Sequence, residues 1–176
     1  ELPTTLLKIG LMYMAAPEGF HGDPGAAIEH LELARALASS GSEEYFRSVA
    51  ALGFASGMDG DLESAAQYFE EALTLRPNEP ALQFLSGYFA LESGKFDLAI
   101  TRLRESLESG VCTKEAYGAL GEAYGALGEE KTAEKFRALF ESTSGAKPCE
   151  ASYFIWKSET RLGEIQAMLK SLRPAP

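Results

Sequence analysis

A repeat of 34 residues is the feature that most limits how this chain can fold. Small residues recur at this spacing, without gaps, in three columns: Gly53, Gly87 and Gly121; Gly60, Gly94 and Gly128; Ala65, Ala99 and Ala133. A fixed period of this length is typical of helical solenoids, in which each helix pair buries its apolar face only against its neighbours. The sequence therefore predicts an all-α solenoid of antiparallel helix pairs, and it favours binding as the class of activity.

Each copy of the repeat reads as two helices joined by a glycine turn. In the first clear copy we expect helices over residues 44–56 and 62–75, and Pro77 ends the second because proline cannot continue a helix. The predicted turns of the three copies are residues 57–61, 93–95 and 127–129. We expect positive φ angles at the turn glycines, and we expect the glycines inside the first helices to let the second helices approach closely.

Several columns follow a known repeat pattern. Leu52-Gly53, an alanine at 65, an aromatic at 69, an alanine at 72 and Pro77 stand at fixed offsets from Phe46. The run GDLESAAQYFEEALTLRPNEP, residues 60–80, resembles the consensus of the tetratricopeptide repeat (TPR) family. This resemblance implies a right-handed superhelical solenoid. The departures from the family pattern are Ser86, Ala90, Arg137 and Phe140.

The resemblance predicts a single TPR domain over residues 1–176. Its predicted parts are an irregular first repeat over about 4–41, repeats over 46–79, 80–113 and 114–147, and a C-terminal helical cap over 148–173. In the first repeat we expect a helix over residues 4–15 and a second helix that begins at Asp23-Pro24, a cap followed by a first-turn proline. For the apolar segment 148–172 two interpretations stay open: a degenerate fourth repeat, or a helix that covers the end of the stack.

The net charge of the chain limits which classes of partner it can attract. The formal net charge is −10 and the pI is near 4.7, whereas nucleic acids and anionic membranes attract basic surfaces. No apolar run approaches the roughly 20 residues of a membrane span, so we expect no membrane insertion. Because the chain begins at Glu1 and not at Met, we expect a preceding segment: a signal peptide, a lipid anchor, another domain or an artificial start. For a soluble protein two compartments stay open, the cytoplasm and the periplasm.

The chain offers little for catalysis. A metal site would have to pair His21 with Glu18 or Asp23, and no phosphate loop, dinucleotide fingerprint or nucleophile elbow occurs. We therefore expect no catalytic residue, no metal and no cofactor. Cys112 and Cys149 lie 37 residues apart in successive connections. Neighbouring helices pack about 8–10 Å apart, whereas a disulfide needs Cα atoms within about 7 Å, so we expect two free thiols.

In the TPR family the first helices of the repeats line a concave groove that binds other proteins. The family positions, carried over one by one, give these candidate partner-binding residues: Met12, Tyr13, Arg47, Phe54, Met58, Phe84, Leu85, Tyr88, Leu91, Glu92, Glu115 and Glu122. We expect an exposed aromatic patch bordered by glutamates, which is what an apolar or amphipathic segment of a partner requires.

Members of the TPR family that bind the acidic C-terminal tails of chaperones use lysine, arginine and asparagine side chains in this groove. The matching positions here are Ala50, Phe54, Leu85, Glu115 and Ala119. None of these is basic or an amide, so a chaperone tail is excluded as the expected partner. The leading hypothesis is a protein-interaction scaffold or adaptor.

Two alternatives to this hypothesis stay open. One is a self-assembling homo-oligomer. The other is an accessory subunit of a bacterial envelope transport or secretion complex, because the connection from Pro17 to Pro24 is similar to connections in envelope TPR proteins.

Overall fold

The computed structural model describes residues 1–14, 22–110 and 112–143. Within these ranges the chain forms eight α-helices and no strand. The helices are α1 Leu2–Met14, α2 Pro24–Leu37, α3 Glu43–Asp59, α4 Leu62–Leu75, α5 Pro80–Glu92, α6 Phe96–Glu108, α7 Thr113–Ala126 and α8 Glu130–Ser142. Each helix packs against the next one along the chain, so the fold is a row of helix pairs.

Side-chain caps begin three of the helices. The carboxylate of Asp23 accepts a hydrogen bond from the backbone N–H of Ala26 at 2.9 Å, and Pro24 is the first residue of α2, as the sequence predicted. Asp61 caps α4 in the same way through the N–H of Ser64 at 3.0 Å. Such caps satisfy N–H groups that have no partner within the helix.

The predicted turn glycines adopt the left-handed conformation. The φ angles are 88° at Gly60, 77° at Gly94 and 77° at Gly128, which only glycine accepts without strain. The first turn is shorter than predicted, because α3 continues to Asp59. Gly57 belongs to the helix, where a Cβ atom would lie 2.5 Å from the ring of Phe89. The glycine that the sequence assigned to a turn therefore serves close packing.

The helices form two layers. We call α1, α3, α5 and α7 the A layer, in which α1 touches α3 and α5 touches α7. We call α2, α4, α6 and α8 the B layer. Ion pairs connect its helices: Arg35 of α2 binds Glu71 of α4 at 2.9 Å, and Arg102 of α6 binds Glu70 of α4.

The core lies between the layers. Phe69 of α4 is fully buried and contacts Phe54 of α3 edge to face, with ring centroids 5.2 Å apart. It stacks on Phe89 of α5 at 5.5 Å. A Cβ atom at Gly53 would lie 2.8 Å from the Phe69 ring, so the glycine column allows the close approach that the sequence predicted.

One departure from the family pattern has a structural explanation. Ser86 stands where the other copies have Leu52 and Leu120. The buried Ser86 hydroxyl donates a hydrogen bond to Glu70, whose carboxylate also accepts from Nε of Arg102 at 2.7 Å. A polar contact between the layers thus replaces an apolar one.

The expectation of two free thiols is wrong for Cys112, which is disulfide-bonded. Loop geometry explains the error, because Cys112 lies just before α7 with a left-handed φ of 54° and not on a helix axis. The only other cysteine of the sequence, Cys149, lies outside the described residues. The same is true of His21, of most of the connection that begins at Pro17, and of the predicted cap over 148–173.

Candidate protein-binding surface

The twelve predicted partner-binding residues all lie on the A layer, but they differ in exposure. The exposed ones are Met12, Tyr13, Arg47, Met58, Glu92 and Glu122. The half-buried ones are Tyr88 and Glu115. The buried ones are Phe54, Phe84, Leu85 and Leu91.

The aromatic patch is therefore less open than expected. Phe84 is only 2% exposed and Leu85 only 1%, so both belong to the core. Side chains of neighbouring helices cover these positions, which a repeat register alone does not reveal. The centre of the predicted patch consists of Phe54, Phe84, Leu85, Tyr88 and Leu91, and of these five only Tyr88 reaches the surface. A role of the buried members in partner binding stays a prediction.

Tyr88 is held in place by aromatic neighbours and lies near two carboxylates. Its ring stacks on Phe84, with centroids 6.3 Å apart, and meets Phe89 edge to face at 5.5 Å. Burial raises the pKa of the Tyr88 hydroxyl, and the negative charges of Glu92 and Glu122 raise it further. Tyr88 and Glu92 lie on α5 and Glu122 lies on α7, and these two helices contact each other.

The α5 and α7 end of the A layer is acidic. Glu115 lies on α7, and its Oε2 atom is buried without a hydrogen-bond partner. Lys114 is the only cation in these two helices, and its Nζ lies 5.0 Å from the ring centroid of Phe140 on α8. That ammonium therefore points towards α8 and leaves the carboxylates of α5 and α7 without an ion pair from their own helices.

Apolar side chains are exposed near the C-terminal ends of α1 and α3. Met58 is 49% exposed and Tyr13 is 41% exposed. A Cβ atom at Gly22 would lie 3.4 Å from Cε of Met58 and 3.1 Å from the carbonyl oxygen of Tyr13, so both residues lie next to Gly22. The Tyr13 ring lies 5.2 Å from that of His30, whose Nδ1 bonds to the carbonyl of Ala26 at 2.8 Å. His30 thus supports Tyr13 from α2.

Comparison with known proteins identifies the type of repeat in the centre of the chain. Residues 58–111 match the tetratricopeptide repeat family. This part of the chain is therefore similar to tetratricopeptide (TPR) repeats. The solved structure of MamA is 26% identical, with a TM-score of 0.65 over 79% of this chain and 74% of that one. A comparison with curated proteins gives no match.

Two further solved structures share the fold. The MamA RS-1 ArsTM double mutant is 18% identical, with a TM-score of 0.63 over 97% of this chain and 98% of that one. A putative kinesin light chain of Podospora anserina with nearly identical TPR-like repeats is also 18% identical, with a TM-score of 0.62 over 97% and 94% of the two chains. These structures support the all-α TPR solenoid.

The TPR fold supports a scaffold for protein partners, in agreement with the function class that the sequence favoured. None of the eight described helices is long and apolar enough to span a bilayer. Within the same ranges no group of three or more His, Cys, Asp or Glu side chains is placed to hold a metal ion.

The TPR repeats also expose apolar residues outside the predicted surface. Leu33 and Leu37 are exposed on α2, and Leu139 and Phe140 are exposed on α8. A sequence signal existed for Phe140, because it occupies a column where the family has alanine. The Leu33 and Leu37 side chains gave no such signal, since their exposure depends on which helices lie beside α2.

The B layer carries a polar groove of about 420 Å³ between α4, α5 and α6. Glu70, Glu105 and Glu108 line it together with Arg102. The guanidinium of Arg102 is bonded to both Glu70 and Glu105, so the groove's only cation among its lining residues is already paired. This groove lacks the exposed apolar side chains of the A layer.

Proposed function

We propose that this protein is a non-catalytic scaffold that binds an apolar or amphipathic segment of another protein in a concave groove lined by the A layer. One observation carries the proposal. The A-layer helices expose four large apolar side chains in the described residues, and three of them lie towards the α1–α2 connection: Met12, Tyr13 and Met58.

Further along the A layer, buried aromatic residues hold the half-buried Tyr88 in place. Phe84 and Phe89 fix the ring of Tyr88, so the partner meets a side chain that has little freedom left to lose. Rigid aromatic and methionine anchors beside charged side chains are typical of surfaces that bind helices or extended peptides. Met58 and Met12 have flexible thioethers that adapt to the shape of an apolar partner.

The test uses exposed positions only, because a charge at the buried Phe84 would unfold the domain. The variant is Tyr13→Glu with Met58→Glu. The matched control is Leu33→Glu with Leu37→Glu, which adds the same charge at two exposed apolar positions of α2. Proteins are captured from native cell extract with wild type and with both variants, after circular dichroism has shown equal helix content.

We expect partners that bind wild type and the α2 control to be lost from the Tyr13→Glu/Met58→Glu variant. The same proteins recovered with all three baits would place the binding surface elsewhere. If partners were lost only from the α2 control, the binding surface would lie on the B layer.

A second candidate function is assembly with further copies of the chain. The exposed Leu139 and Phe140 on α8, with Leu127 at the end of α7, form an apolar end of the described stack and favour this candidate. Such an end joined to a different surface of another copy would give open chains rather than closed dimers. Light scattering at protein concentrations from about 1 to 100 µM, a range that covers contacts of micromolar affinity, tests whether the chain assembles. A constant monomer mass would exclude assembly.

A further inference from the structure

The last described helix exposes a large apolar side chain at a position that is buried in the preceding repeats. Phe140 is 39% exposed, whereas Ala72 and Ser106, which stand two repeats and one repeat earlier in the same column, are fully buried. The helices that carry Ala72 and Ser106 each pack against a following A-layer helix, α5 and α7 respectively. No described helix follows α8. The Phe140 ring therefore lies where a further element of the stack would pack.

This ring lies close to the beginning of α7. The Nζ atom of Lys114 is 5.0 Å from the centroid of Phe140, and a Cβ atom at Gly118 would lie 3.2 Å from Cδ2 of the ring. Gly118 follows Cys112 by six residues, which corresponds to about 9 Å along a helix. Cys112 immediately precedes α7 and is disulfide-bonded. The disulfide and the exposed ring thus lie near the same end of α7.

The sequence offers one partner for this disulfide within the chain, because Cys149 is the only other cysteine. Phe140, near the C-terminal end of α8, packs beside Lys114, near the start of α7, so Thr143 and Cys112 lie at the same edge of the stack. Cys149 follows Thr143 by six residues, which span at most about 20 Å. The chain can therefore bring Cys149 to Cys112.

The segment after Cys149 carries the apolar side chains that a covering element needs. It has two apolar groups: Tyr153, Phe154 and Trp156, and then Ile165, Met168, Leu169 and Leu172. The second group has the i, i+3, i+4, i+7 spacing that is typical of an amphipathic helix. Trp156 follows Cys149 by seven residues, or about 10 Å of helix. This length is close to the distance along α7 from Cys112 to Gly118, where the Phe140 ring lies.

We propose that Cys149 is the disulfide partner of Cys112 and that residues 150–172 of the same chain cover the exposed end of α7 and α8, with Trp156 against Phe140. The occupant of this face is thus a segment of this chain and not a second copy. The inference goes beyond the proposed function, whose exposed residues lie on α1 and α3.

The disulfide compensates for the small apolar area of this face. Phe69 and Leu103 are fully buried in the preceding repeats, but the equivalent residue of α8 is Arg137, which is exposed and pairs with Glu130. Without the disulfide, Cys149 could lie anywhere within about 20 Å of Thr143. The disulfide holds its Cα atom within about 7 Å of that of Cys112 and so lowers the entropy cost of docking the segment.

The test uses the fluorescence of Trp156, the only tryptophan of the chain. In the oxidised wild type we expect an emission maximum to the blue of that in urea and slow quenching by acrylamide. Phe140→Glu should shift the emission to the red and speed the quenching, because the segment would otherwise bury a carboxylate. Phe140→Ala removes the ring without adding a charge and should shift both in the same direction.

The matched control is Leu33→Glu, which adds the same charge at an exposed apolar position of α2 and should leave the emission of Trp156 unchanged. Circular dichroism first establishes that all variants have the helix content of the wild type. Mass spectrometry of an unreduced tryptic digest of the monomer should find Cys112 and Cys149 in one linked pair of peptides. Reduction with dithiothreitol, or Cys149→Ser, should speed the quenching of Trp156.

Four outcomes would overturn the inference. The first is a folded wild type in which Trp156 is quenched as fast as in urea, and the second is a disulfide that joins Cys112 to a second chain. The third is slow quenching that neither variant of Phe140 changes. The fourth is an emission that depends on protein concentration between about 1 and 100 µM, which would assign the face to a second copy. None of these outcomes affects the capture of partners by α1 and α3, so the proposed function is tested separately.

Discussion

At the scale of single residues, two glycines inside helices have opposite roles. Gly53 of α3 faces the fully buried Phe69, and a Cβ atom there would lie 2.8–3.0 Å from three atoms of the ring. Gly25 of α2 is exposed, and a Cβ atom there would meet nothing closer than Asp23 Oδ1 at 3.5 Å. The same substitution should therefore act in opposite directions.

We expect Gly53→Ala to lower the free energy of unfolding by about 1–3 kcal/mol, because overpacking outweighs the better helix propensity of alanine. Gly25→Ala should raise it by about 0.5–1 kcal/mol. Urea unfolding followed by circular dichroism measures both. A Gly53→Ala protein as stable as wild type would show that Phe69 can move and that this column does not set the layer spacing.

At the scale of helices, α4 connects both neighbours of the B layer. Glu71 accepts from Arg35 of α2 and from the Tyr45 hydroxyl at 2.8 Å, while Glu70 accepts from Arg102 and Ser86. Burial raises the pKa of Glu70, but the hydrogen bonds from Arg102 and Ser86 outweigh it, so the pKa lies below its ordinary value of 4.5. The charged form is therefore the one that stabilises the fold.

A lowered pKa gives a stability contribution that is complete above pH 4.5 and is lost as the pH falls through the folded-state pKa. We expect Glu70→Gln to cost about 1–2 kcal/mol of unfolding free energy at pH 7, since the pair is partly exposed. The difference from wild type should shrink in acid. Urea titrations between pH 3 and 7, about the range of carboxylate titration, test this. Glu134→Gln on α8 serves as the control, and a constant difference at all pH values would contradict the assignment.

The helices also show what a sequence can predict. Glycine columns predicted the turns at Gly94 and Gly128, because a positive φ angle leaves a direct trace in residue type. Residue type does not show that Phe84 is buried or that Gly57 belongs to α3. Both features depend on which side chains the neighbouring helices supply. For the same reason the register located the candidate surface on the A layer without showing which of its residues a partner can reach.

At the scale of the whole molecule, burial is concentrated in the middle of the described stack. The helices α3 and α5 each bury eight residues, whereas α1 buries three and α8 only Ala133. In a solenoid each helix pair is stabilised mainly by its neighbours, so local stability follows this gradient.

Native-state hydrogen exchange should therefore be slowest in α3, α4 and α5 and fastest in α8 among the described helices. We expect Leu85→Ala, at a position 1% exposed, to lower the unfolding free energy by about 2–5 kcal/mol and to speed exchange in the central helices. Leu139→Ala on α8, at an exposed position, should leave their exchange unchanged. Mass spectrometry of peptic fragments resolves these regions. Equal protection of α8 and α5 in wild type would mean that the stack unfolds as one cooperative unit, because only then do end and centre share the same opening free energy.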